Sequence, residues 1–84
     1  MIGRIRELLA ARPFTPFRVT LKAGVTDDIT DPDLVELSSD LLRLSRHDPT
    51  NPATREWRSI LALQHVTSVE TLEHEYPFFV QATN

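Results

Sequence analysis

Turn chemistry recurs so often along this chain that only one helix fits, and it must precede the strands. Six prolines fall at positions 13, 16, 32, 49, 52 and 77 of the 84 residues. Pro13 ends the helix, because the residue before a proline is pushed out of the α region. The helix is predicted over residues 2–12. Ile2, Ile5, Leu8 and Leu9 fall three or four apart on one face, and Arg4, Arg6 and Glu7 lie off it. Pro13 and Pro16 then bracket Phe14 in a stiff extended connector with an apolar plug. Beyond it, the spacers between apolar runs are too short for crossovers between parallel strands, so the sheet must be antiparallel.

The strand pattern is clearest in FRVTLKAG. Phe17, Val19 and Leu21 alternate with Arg18, Thr20 and Lys22, and Ala23-Gly24 supplies a hairpin turn. A weaker strand follows with Val25 and Ile29. Asp31-Pro32-Asp33 has the chemistry of a capped single helical turn that would bend the sheet. Leu34, Val35 and Leu37 lead to a turn at Ser38-Ser39-Asp40, and Leu42 and Leu44 point inward on the next strand. Residues 47–56 (HDPTNPATRE) lack an apolar pattern and are predicted to form the one long loop. Trp57, Leu61 and Leu63 alternate against Ile60 and Ala62, which predicts a strand buried on both faces near the middle of the sheet. Val66, Val69 and Leu72 continue after a 3₁₀ turn expected at residues 65–68. The fold class is mainly β with one N-terminal α-helix. It takes the form of a small, strongly bent antiparallel sheet or barrel of four to five strands. One domain covers residues 1–84: the helix, a β-barrel or roll over 17–73, and an aromatic C-terminal tail over 74–84.

Catalytic constellations are missing from the sequence. The absence of cysteine excludes disulfides, thiolate nucleophiles and Cys-based zinc sites. His47, His65 and His74 stand in no metal-ligand spacing, and two glycines leave no phosphate cradle. His47 beside Asp48 is the one pair with the makings of a general base and its orienting carboxylate. Asp27, Asp28, Asp31, Asp33, Glu36 and Asp40 form an acidic run, without the glycine and spacing of an EF-hand loop. No enzyme activity, metal or cofactor is expected. Nothing resembles a signal peptide or a membrane span of about 20 apolar residues, so a cytoplasmic protein is expected.

Charge is segregated along the chain. Residues 1–22 carry five bases and one acid, and residues 23–42 carry six acids and no base. Residues 43–58 carry four bases and two acids, and residues 59–84 carry three acids and no base. Such a pattern suits head-to-tail association, or else pairing inside the fold. The tail holds the densest apolar group, with Tyr76, Phe78 and Phe79 around Pro77. The expected interface comprises Arg4, Arg6, Arg12, Tyr76, Phe78 and Phe79, facing a protein partner or further copies of the chain. The net charge of −3 disfavours nucleic acid without excluding it.

Two resemblances accompany these readings. The stretch ARPFTPFRVTLKAG, the DPDLV turn and the closing LQHVTSVE resemble a family of small bacterial proteins of uncharacterised function. Its pattern is a helix, a PFxPFRxxLxxG strand, a [HD]P[ED] turn and a final apolar strand. Pro13, Phe14, Pro16, Phe17, Arg18, Leu21, Gly24, Pro32, His65 and Val69 carry it, and it implies a fold unit. The helix, the glycine turn and LQHV at residues 63–66 are also similar to the Sm-like fold of Hfq-type RNA chaperones. That similarity implies an Sm-like or SH3-like roll, with His65 at a single-stranded RNA contact. Gln64 stands where the motif has lysine, and Pro32 interrupts what would be a long bent strand.

Overall fold

The computed structural model describes residues 2–73. Helix α1 (Ile2–Ala10) leads into β1 (Phe17–Leu21) and β2 (Thr26–Ile29). A 3₁₀ turn, η1 (Pro32–Leu34), precedes β3 (Val35–Leu37), β4 (Leu41–Asp48) and β5 (Asn51–Ala62). A second, η2 (Leu63–His65), precedes β6 (Val66–Thr71). The chain is mainly β with one N-terminal helix, as its sequence predicts. The strands form two antiparallel three-stranded sheets, in the orders β2-β1-β6 and β3-β4-β5. The sheets do not close into a barrel, and the expected bent sheet or barrel of four to five strands is replaced by two sheets of three strands each. The chain changes sheets at η1 and η2. Pro32 has no N–H to offer a ladder, so strand pairing breaks at η1.

Local chemistry explains each corner. At the β1–β2 hairpin the Gly24 N–H donates to the Leu21 carbonyl at 2.8 Å, and the Leu21 N–H donates to Val25 at 2.8 Å. Gly24 has φ +83°, a left-handed conformation that glycine adopts without steric cost. At η1 the Asp31 carboxylate accepts from the Asp33 N–H at 2.9 Å, with Pro32 at the first position of the turn. The Ser38 N–H closes the β3–β4 turn on the Leu41 carbonyl at 2.9 Å.

The segment expected to be the long loop is a hairpin. β4 runs to Asp48 and β5 starts at Asn51, with Pro49 and Thr50 between them. Asp48 Oδ1 accepts from the Thr50 N–H at 2.8 Å and from Thr50 Oγ1 at 2.7 Å, which fixes the turn. The register then slips between the Asp48–Asn51 and His47–Arg55 pairs, so residues 52–54 bulge out of the ladder. Pro52 is accommodated because this is an edge strand.

The core draws on both sheets and the helix. Ile5, Phe17, Val19 and Leu42 are wholly buried, and Leu44 and Ile29 nearly so. Leu8, Leu61, Leu63 and Val66 complete the cluster, with Ile2, Leu9 and Phe14 packed against it. The Phe14 and Phe17 rings meet at 6.1 Å and a tilt of 59°, so Phe14 does plug the helix–sheet junction. Among the described residues, no helix is long and apolar enough to cross a membrane.

Candidate interaction surface

The expected interface residues do not converge. Arg4 and Arg6 are exposed on α1, and Arg4 lies 3.9 Å from Glu7. Arg12 Nη1 donates to the Leu9 carbonyl at 2.9 Å and to the Ala11 carbonyl at 2.6 Å. It therefore satisfies carbonyls left open at the helix end. His65 is exposed on η2, and its carbonyl accepts from the Lys22 N–H at 2.8 Å. Its cleft is shared with Leu21, Lys22 and Ala23 and includes none of the three arginines. Tyr76, Phe78 and Phe79 lie outside the described residues, as does His74.

The catalytic candidate is engaged elsewhere. His47 is exposed, and Asp48 turns its carboxylate to Thr50. The Thr50 hydroxyl, and then the Thr50 N–H, hold the Asp48 carboxyl below the usual carboxylate range. Among the described residues, no three histidines or carboxylates gather as a metal would require.

Much of the acidic run is neutralised inside the fold. β1 and β2 place Arg18 opposite Asp28. Its Nε and Nη2 reach the two carboxylate oxygens at 2.7 and 3.1 Å, a two-pronged pair. Arg18 also lies 3.9 Å from Glu70 on the other flanking strand. Arg58 of β5 crosses to the other sheet, where it binds the Asp27 carboxylate and the Asp28 carbonyl. Arg46 meets Glu56 at 2.7 Å. Charges segregated in sequence are thus brought together, at Arg18 by antiparallel pairing and at Arg58 by contact between the two sheets.

The unexplained surface lies on β5. This strand belongs to the edge of its sheet, which corrects its expected place near the middle. It spans twelve residues and pairs with β4 alone among the described residues. Leu61, opposite Leu42, enters the core as expected, but Trp57, expected on the same face, does not: the register slips between the Leu44–Ser59 and Ser45–Trp57 pairs, which breaks the alternation. The outer face is uncovered. Trp57 is 53% exposed and Ile60 59%, two of the three large apolar side chains prominently exposed among the described residues.

β4 sets what surrounds them. Leu42 and Leu44 are buried, so by alternation Arg43 faces outward, opposite Ile60. The Arg43 guanidinium stacks over the Trp57 ring at 5.1 Å and lies 3.8 Å from Glu36. A cleft of about 320 Å³ beside the indole is lined by Glu36, Ser45, Arg55, Glu56 and Trp57. Arg55 is held across it by donating to the Asp33 carbonyl at 2.6 Å. The arrangement is an apolar strip next to an open strand edge, rimmed by Arg43 and Arg55 together with Glu36 and Glu56. Pro52 was the sequence signal for it, since a proline within a strand run marks an edge.

Compared with known proteins, the chain matches no family model, no curated protein and no solved structure.

Proposed function

We propose that this chain is a non-enzymatic self-assembly module that joins copies of itself through β5. One observation carries the reading: Trp57 and Ile60 are more than half exposed on a twelve-residue edge strand. An open strand edge is a template for another chain, and exposed apolar strips rimmed by polar groups mark interfaces. Exposed His47 and the commitment of Asp48 to Thr50 favour binding over catalysis. A reducing cytoplasmic setting suits a chain without cysteine. Size-exclusion chromatography with light scattering, over a wide concentration range, tests it. A mass that rises to a defined multiple of the chain is expected, and a monomer at every concentration refutes the reading.

A second reading, an Sm-like module for single-stranded RNA, is favoured by the cleft that His65 shares with Lys22. The passage of the chain between sheets at η1 and η2 suits a roll opened at two corners. This reading requires a mobility shift with RNA that weakens steeply with salt. No shift at low salt ends it.

A further inference from the structure

We infer, on the self-assembly reading, that two copies join as a closed pair in which residues 55–62 of β5 lie antiparallel to the same residues of the other copy. Trp57 of each copy then stands opposite Ile60 of the other.

The slip in the β4–β5 ladder sets this register. Ser59 pairs with Leu44 and Trp57 with Ser45, so Arg58 is an extra residue and opposes Leu44 together with Ser59. Leu44 is buried and Arg58 reaches Asp27 of the other sheet, so Arg58 and Ser59 both fall on the inner side. Trp57 and Ile60 face outward on either side of them. Alternation then puts Glu56 and Leu61 inward, and Arg55 and Ala62 outward. From residue 55 to residue 62 the faces read out, in, out, in, in, out, in, out. That order is the same from either end, with its midpoint between Arg58 and Ser59.

Residues opposite each other in an antiparallel pair share a face. A strand therefore pairs with its own copy only where outward positions meet outward ones. A two-fold axis between Arg58 and Ser59 achieves this at every position from 55 to 62. Shifting the pairing by one residue sets Trp57 against inward Ser59 or inward Leu61, and the first of these also sets Arg58 against itself. In the matched register no like charges are opposed: Arg55 meets Ala62, Glu56 meets Leu61 and Arg58 meets Ser59. Trp57 meets Ile60 twice, an aromatic side chain beside a β-branched one. Residues 52–54, which bulge from the ladder and include Pro52, stay outside the paired stretch. Such a contact uses the same surface on both copies, so it closes at two and leaves neither β5 edge open.

The chain has no cysteine, so introduced thiols report the register without background. Arg55→Cys and Ala62→Cys are made as separate chains, because these positions should oppose each other across the pair. Their Cα atoms should lie about 4.5–5.5 Å apart, within disulfide reach. The same position on the two copies should stand about 20 Å apart, at about 3.4 Å per residue. Under mild oxidation the mixture should form a covalent dimer, and either variant alone should form almost none. Ile60→Asp in both chains should lower the yield about tenfold at matched concentration, because it sets a charge against Trp57. Unchanged circular dichroism spectra confirm that the variants are folded, and light scattering of the reduced mixture should give the mass of two chains. Association without the mixed disulfide overturns the register and leaves the self-assembly reading standing, as does a mass above two chains. A disulfide from either variant alone at the yield of the mixture also overturns the register. Monomers at every concentration overturn both.

Discussion

Leu42→Ala and Ile60→Ala test the β4–β5 register from opposite faces of one sheet. Leu42 is fully buried on the central strand, paired with Leu37 on one side and Leu61 on the other. Removing its side chain forfeits the transfer of a wholly buried leucine and leaves a cavity in a core fed by both sheets. Such changes cost about 3–5 kcal/mol. A chain of 84 residues has about 4–13 kcal/mol of stability in total, so the variant should lie near the edge of folding. At about 4–8 °C per kcal/mol, the melting temperature should fall by at least about 12 °C. Ile60 sits one pair along on the outer face at 59% exposure, and its truncation should change monomer stability by about 0.5 kcal/mol or less. Urea titration followed by circular dichroism, at a concentration where the chain is dilute, measures both. Because side chains alternate, a one-residue slip would exchange the two faces. A large loss for Ile60→Ala with a small one for Leu42→Ala would refute the register and the surface built on it.

Other perturbations probe the corners. Gly24→Ala should destabilise by about 1–2 kcal/mol in denaturant titration, since the left-handed backbone, with φ +83°, penalises a Cβ even though nothing crowds it. Arg58→Ala should cost about 0.5–1 kcal/mol by removing the link between β5 and β2, and the loss should shrink in high salt. Asp48 has a folded-state pKa below its unfolded value, so its contribution is fully present above the unfolded value. It is lost as pH falls through the depressed one. Asp48→Asn should therefore remove the part of acid destabilisation that local probes detect at the β4–β5 turn, as followed by NMR of the Thr50 amide.

What the sequence made legible was chemistry carried by neighbouring residues. Ile5 and Leu8 on one helical face, Gly24 at a turn and Asp31 capping Pro32 each act over a few positions, and each is found as expected. What stayed hidden depends on partners far along the chain. Residues 47–56 look like a loop because their strand character comes from pairing with β4, while Pro49 and Pro52 advertise turns. The two apolar faces of β5 suggest a central strand, yet only pairing decides that one face meets the core and the other meets solvent. Arg58 and Asp27 stand 31 residues apart, so no local pattern links them. Arg12 was expected in an interface on charge alone, although its position just past the helix end is where a guanidinium reaches free carbonyls. The stacking of Arg43 on Trp57 likewise follows from the register of two strands and not from spacing along one.

The most direct test of assembly through β5 is the molar mass of the natural chain beside that of its Ile60→Asp variant, measured by light scattering at matched concentrations. A defined oligomer is expected for the natural chain and a folded monomer for the variant. Equal masses for the two, whether both monomers or both oligomers, would rule out assembly through β5.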